Sequence, residues 1–181
     1  MKLTHDQILD APIDDVWANF MDLYRIGQAF PGAEVTEVEG DDFVGNIRAK
    51  LGPLRMTFVG EGTMTERDTA VRRARIEATG REQHGFGNAN IAITVHLSDH
   101  AAGQSTRVLV STDLGLVGLP MDFGSAIVQR ASDPSVERFL TRMGSPDGAA
   151  PRDDDDAFDI ARTAADLLGS FTGRRRRPKK T

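Results

Sequence analysis

This chain of 181 residues contains no cysteine. Disulfides, thiolate metal sites and cysteine nucleophiles are therefore excluded. Its four histidines, His5, His84, His96 and His100, fall at no H-x-x-x-H or H-E-x-x-H spacing, which argues against a metalloenzyme. No serine sits in a nucleophile-elbow context. Gly85-x-Gly87 opens a strand-like stretch, not a helix, so it is no phosphate cradle. The nearest candidates for a buried general base are Glu61 and Glu66, and strand alternation puts both outward or at strand ends. No window approaches ~18 uncharged apolar residues, so no bilayer span is expected. The start, Met1-Lys2-Leu3-Thr4-His5-Asp6, lacks the apolar run of a signal peptide, and a cytoplasmic protein is the expectation. The sequence predicts no active site.

What is present is one domain's worth of core and a tail of different composition. The net charge of −5 conceals an asymmetry: residues 151–181 carry eight Lys/Arg against six Asp, leaving fourteen against twenty-one for the rest. A mildly acidic body argues against a basic nucleic-acid-binding face.

Lys2–Leu9 reads as a strand, and Ala11–Phe20 as a short helix with Ile13, Val16, Trp17 and Phe20 on one face. Asp22 starts a second helix through about Ala29, and Phe30-Pro31-Gly32 ends it. A meander follows, with strands at Val35–Glu39, Phe43–Leu51, Leu54–Met64, Val71–Arg81, Gly85–Leu97 and Thr106–Leu114. Alternation with one wet face is the pattern of an antiparallel sheet packed on one side. Pro120–Met143 then predicts a long amphipathic helix, with Met121, Phe123, Ile127, Val128, Phe139, Leu140 and Met143 in its apolar stripe. Pro134 inside it predicts either a kink or two abutting helices with Asp133 as the second cap.

Two features bear on function. The packed face of the sheet has many small residues, among them Ala49, Gly60, Gly62, Ala74, Ala78 and Ala89. Such a lining either encloses space or marks bends that Trp17, Phe20, Phe123 and Phe139 fill. The link Gly115-Leu116-Val117-Gly118-Leu119 is apolar and glycine-flexible. It reads as a binding mouth, a membrane contact, or a crossover buried under the helix.

Residues 144–156 form a linker by composition, and Asp153–Asp156 reads as a solvated acidic cap, since a calcium loop's glycine and ligand pattern is absent. Residues 157–181 predict an amphipathic helix through about Thr172 and a polybasic end. Phe158, Ile160, Leu167, Leu168 and Phe171 share one side, and Arg174, Arg175, Arg176, Arg177, Lys179 and Lys180 follow. A peripheral membrane anchor is the favoured reading. Each cation near an anionic leaflet gives about 1 kcal/mol. A helix docking on a partner protein and a nucleic-acid tail stay open.

Phe30-Pro31-Gly32, Glu37-Val38-Glu39-Gly40-Asp41, Leu51-Gly52-Pro53-Leu54 with Phe58-Val59-Gly60, and Thr65-Glu66-Arg67-Asp68 together resemble the CoxG family of carbon monoxide dehydrogenase subunits, within the START-like (SRPBCC) superfamily. Ala11-Pro12-Ile13-Asp14-Asp15-Val16-Trp17 is similar to that superfamily's AP-x-x-x-V-W opening, and Gly80, Gly85 and Gly87 fit its glycine-interrupted strands. The resemblance covers residues 2–143; Pro134 departs from the usual uninterrupted final helix. It implies an α+β helix-grip fold over residues 1–143: a curved antiparallel sheet around the long helix, often with an apolar cavity between them. It implies a molybdenum-containing CO dehydrogenase-type partner and membrane attachment on the inner face of the cell membrane. With a cavity and an anchor, an isoprenoid quinone (menaquinone or ubiquinone) becomes the expected ligand of a non-catalytic protein. The expected walls are Ile47, Ala49, Phe58, Gly60, Ile76, Ala78, Ala89, Ile91, Ile93 and Val110 from the sheet. Leu116 and Leu119 from the link, and Phe123 and Ile127 from the helix, complete them. A ligand-free anchoring or maturation factor and a cyclase-type enzyme are the alternatives.

Overall fold

Leu3, His5, Gln7 and Leu9 turn inward along β1 (Lys2–Leu9), alternating with exposed residues. Two short helices follow, α1 (Ile13–Phe20) and α2 (Leu23–Ala29). In α1, Val16, Trp17 and Phe20 are buried, while Asp14 and Asp15 occupy the first turn, where carboxylates favour the helix dipole. Asp22 caps α2 by accepting the Arg25 N–H at 3.0 Å. The chain then meanders through β2 (Ala33–Glu39), β3 (Asp42–Leu51), β4 (Leu54–Asp68), β5 (Arg73–Glu82), β6 (Asn88–His100) and β7 (Ser105–Val117) before α3 (Ser125–Met143). Sheet order is β1-β7-β6-β5-β4-β3-β2, all antiparallel, so the first strand pairs with the last of the meander. This computed structural model describes residues 1–51, 54–118, 125–146 and 158–159. The expected α+β architecture is present: one antiparallel sheet and a long late helix on its inner face.

Several expected boundaries shift. Val71 lies in a tight turn with Arg72, whose φ is 52°, so β5 starts at Arg73. Gly85–Gly87 is the β5–β6 turn and not the start of a strand. The supposed link begins late: pairing of Ala89 with Leu116 and Asn88 with Val117 keeps Gly115–Val117 inside β7. Residues 119–124, including Leu119 and Phe123, lie outside the described residues. The long helix is unbroken through Pro134, so two abutting helices do not form. Asp133 turns to His5 and Gln129 instead of capping a second helix. The ~3 kcal/mol cost of an internal proline is smaller than the gain from burying Phe139, Leu140 and Met143, at ~1.5–3 kcal/mol each.

That burial happens at one end of the helix. Phe139, Leu140 and Met143 meet Trp17, Phe20, Ala29, Ala74, Val95, Leu97, Val108 and Val110 in one core cluster. The Phe20 and Phe139 rings meet edge to face at 5.9 Å, a favoured aromatic geometry. Polar groups fix the same end: Asn19 donates to the Met143 carbonyl at 2.7 Å, and Arg25 donates to the carbonyls of Ser145 and Pro146. Carbonyls at a helix C-terminus lack intrahelical donors, and a cation there also suits the dipole.

Among the described residues, the tail joins the sheet at residues 158–159. β8 (Phe158–Asp159) runs parallel to β3, pairing with Ala49 and Lys50. The β2–β3 pairing stops at Ile47, so β8 takes edge positions that β2 leaves empty. The helix expected from residue 157 therefore does not begin there, and residues 160–181 lie outside the described residues.

The longest strand is β4, fifteen residues, and its pairing with β5 shifts register between Met64 and Glu66. A Cβ on Gly60 would overlap the Thr79 carbonyl oxygen, and one on Gly62 would overlap the Phe43 ring. At these two positions the missing side chain admits a neighbouring strand or ring and does not enclose space. Gly60→Ala is accordingly expected to lower unfolding stability by about 1–3 kcal/mol, measured by urea denaturation; an unchanged midpoint would show that the sheet relaxes freely there.

Candidate functional site

Register sorts the sheet's inner face into rows. Ala74, Val95 and Val110 form one; Met64, Ile76, Ile93, Thr112 and Leu3 the next. Phe43, Gly62, Ala78, Ile91 and Leu114 come third, then Gly45, Gly60, Gly80, Ala89 and Leu116, and finally Ile47, Phe58 and Glu82.

Burial changes along these rows. Ala74, Val95 and Val110 are buried under the C-terminal half of α3. Ile76, Ile93, Ala78, Ile91, Leu114, Ala89 and Leu116 are only half-buried, although they share that face. The half-buried apolar stretch of this inner wall is the candidate binding surface. Leu114 belongs to it and escapes a sequence reading that ends the strand there.

The sheet residues predicted as walls thus all fall on one face, in different roles. Ile47, Ile76, Ala78, Ala89, Ile91, Ile93 and Leu116 line the half-open part. Ala49 and Phe58 are buried toward the β3–β4 end. Val110 sits in the filled core and forms the floor, since Phe139 and Leu140 reach the same cluster. Gly60 is a bend, with strand β5 where its side chain would be. Ile127 belongs to α3 by its backbone, and its side chain lies outside the described residues.

Two ionisable groups sit on this face that alternation could have found. His5 follows Leu3 by two along β1, and its Nε2 lies 3.1 Å from Asp133 Oδ1 and 3.3 Å from Ser132 Oγ on α3. Gln129 bonds the Thr4 backbone in both directions, at 3.0 and 3.2 Å, so this edge of the helix is stitched to β1. Burial lowers the His5 pKa below its ordinary value despite the pull of Asp133. Glu82 continues the Ala78 and Gly80 parity by one residue beyond the expected strand end, and is 1% exposed. Burial pushes its carboxyl up, but hydrogen bonds from the His84 ring and from the N–H groups of His84, Phe86 and Thr57 prevail and hold it below the usual range. Both oxygens brace the β5–β6 turn: Oε2 accepts the His84 N–H at 2.6 Å, and Oε1 lies 3.2 Å from His84 Nδ1.

The outer face has a different character. A groove of about 940 Å³ there is lined by Glu37, Glu39, Asp42, Glu61, Glu77 and Asp113 together with Phe43, Val44, Ala78, Ile91, Ala92 and Leu114. Six carboxylates disfavour an apolar ligand, whose transfer needs an apolar wall. Among the described residues no helix is long and apolar enough to cross a membrane. Of the predicted membrane-contact residues, Phe158 lies in β8 by its backbone; Ile160, Leu167, Leu168, Phe171, Arg174, Arg175, Arg176, Arg177, Lys179 and Lys180 lie outside the described residues.

Comparison with known proteins gives a family and a fold. The sequence profile of the family described as the CoxG subunit of carbon monoxide dehydrogenase matches residues 7–145. No curated protein matches in sequence. Among solved structures, a conserved protein from Geobacillus kaustophilus superposes with a TM-score of 0.68 at 12% identity, covering 80% of this chain and 93% of its own. TTHA0849 from Thermus thermophilus gives 0.56 at 19%, covering 80% and 94%. A di-domain ARO/CYC protein, BexL from the BE-7585A biosynthetic pathway, gives 0.51 at 22%, covering 77% of this chain and 44% of its own. At these identities the likeness shows the fold alone.

The depressed His5 pKa has a measurable consequence. A histidine that is less basic folded than unfolded adds stability above pH ~6.5, lost as pH falls through the lower folded value. Asp6, held low by its hydrogen bond to Arg107, and Glu82 lose their contributions only at more acidic pH, below their ordinary values of 3.8 and 4.5. Between pH 7.5 and 5, urea midpoints should fall for the natural protein and fall less for His5→Gln. Parallel slopes would remove His5 as the cause.

Proposed function

The chain belongs to the CoxG family of carbon monoxide dehydrogenase subunits, and from that premise we propose a non-catalytic subunit that carries an apolar ligand and links a CO dehydrogenase-type molybdenum hydroxylase to the membrane. The observation that carries the ligand part is the inner sheet face, where Ile76, Ala78, Ala89, Ile91, Leu114 and Leu116 are only half-buried between the clamped core and the buried Met56, Phe58 and Glu82. The half-open part combines isoleucine, leucine and alanine side chains, which suit a flexible hydrocarbon chain and offer little to orient a polar substrate.

An isoprenoid quinone, menaquinone or ubiquinone, is the ligand class we favour. A redox enzyme with a water-exposed surface needs a carrier to reach an electron pool dissolved in the bilayer. The tail, with Ile160, Leu167, Leu168 and Phe171 beside six closely spaced cations, supplies reversible attachment to anionic lipid at the inner face of the cell membrane. Each part is weak alone, and the two together give peripheral binding.

The buried carboxylate of Glu82 is the observation that would favour a cyclase-type reading. Its oxygens are committed to His84 and Phe86, so neither is free to take a proton from a bound substrate. A ligand-free anchoring or maturation factor is the remaining alternative.

Mass spectrometry of lipid extracts from the purified full chain should find a quinone in near-stoichiometric amount. Protein that is empty, or that carries only detergent or fatty acid, would contradict the carrier role. Truncation after Pro151 should abolish flotation with anionic liposomes, and intact flotation would rule out the tail as anchor.

A further inference from the structure

One end of the sheet presents apolar and basic side chains together. On the outer face, Val59, Arg81, Asn88 and Val117 stand in register across four strands. Arg48 and Arg55 lie beside them toward the β3–β4 turn, Arg48 being paired with Thr57 and Arg55 with Lys50. Val117 is 64% exposed, Phe86 54% and Val59 48%. Gly118 ties the Phe86 turn to the end of β7, since a Cβ there would stand 3.3 Å from the Phe86 oxygen and Gly87 Cα.

Charges at the two ends of the sheet are handled differently. At the far end Arg67, Arg72, Arg73, Arg75 and Arg107 pair with Asp41, Asp14, Glu66, Glu77 and Asp6. At this end Arg48, Arg55 and Arg81 are exposed and have no ion-pair partner among the described residues. Between the ends lies the acidic groove. The outer face is therefore zoned, with three unpaired arginines, exposed apolar groups and one carboxylate, Glu34 hydrogen-bonded to Asn46, at one end and the acidic groove behind them.

We propose that this end is a second lipid-contact surface, which seats the domain end-on against an anionic bilayer. Exposed apolar groups ringed by unpaired cations match the interface of an anionic leaflet, where a ring such as that of Phe86 sits at headgroup level. The carboxylates behind are repelled by the same leaflet, and that fixes the orientation. The same strand ends carry Ala89 and Leu116 on the inner face, one residue from Asn88 and Val117. Seated this way, the half-open inner wall adjoins the bilayer, and an apolar molecule leaving the membrane crosses only the end of the sheet. The inference rests on the membrane reading given above and adds to the tail a contact made by the folded domain.

The test uses the full chain with vesicles of phosphatidylcholine and phosphatidylglycerol in equal parts. The triple variant Arg48→Gln, Arg55→Gln, Arg81→Gln should bind at least ~10-fold more weakly, since each cation near the surface is worth roughly fivefold. The indole introduced by Phe86→Trp should be quenched by brominated phosphatidylcholine, while the natural protein, whose single Trp17 is 5% exposed in the core, should not be. If the natural protein floats, the triple variant floats equally and the introduced indole is unquenched, this inference is wrong and attachment by the tail stands. If the natural protein does not float at all, both fall. Circular dichroism and thermal melts of each variant confirm that the fold is retained.

Discussion

The C-terminal turn of α3 is the anchor on which the rest of the domain depends. A helix ends with carbonyls that have no helical donors, and burying such an end unanswered is costly. Here Asn19 from α1 and Arg25 from α2 answer at Met143, Ser145 and Pro146, while Arg142 reaches back to the Ala29 carbonyl at 3.0 Å. Phe139, Leu140 and Met143 then enter the core beside Trp17 and Phe20. Two short helices that look like a minor insertion are thus the clamp that holds the long one.

Because the clamp acts at one end, the inner face of the sheet divides. Rows near the clamp are filled, and beyond Val110 isoleucine, leucine and alanine on β5, β6 and β7 are only half-buried, while Met64 and Phe58 on β4 are buried. The His5–Asp133 and Thr4–Gln129 contacts hold the helix to β1. At Gly60 the backbone of β5 stands where a side chain would be. The clamped end of the helix closes the core, and the half-buried wall beyond it is where the proposed carrier would hold a hydrocarbon ligand.

Much of this was legible in the sequence. Alternation in Ala74–Ile76–Ala78 and Ala89–Ile91–Ile93 marked the inner face, and Asp22 marked a helix start. Alternation failed at strand ends, where tertiary pairing decides: β5 runs one residue further to bring in Glu82, and β7 three further to absorb Gly115–Val117. Small residues were ambiguous for a physical reason. Glycine at a close strand approach and alanine beside open space look alike until neighbours are known, and Gly60 proved the first while Ala78 and Ala89 are half-buried on the open wall. Pro134 misled toward a break because helix propensity is local, whereas the burial that overrides it is not.

An apolar ligand should occupy the half-open inner wall and leave the clamped core unchanged. Hydrogen exchange with and without a short-tailed ubiquinone tests this most directly. Backbone amides of 76–80, 89–93 and 112–116 should slow on addition, while those of 95–97, 108–110 and 139–143 stay as they were. Slowing centred on 37–44 and 61–63, the part of the acidic outer groove outside those segments, or no slowing anywhere at saturating quinone, would contradict a ligand site on the inner wall.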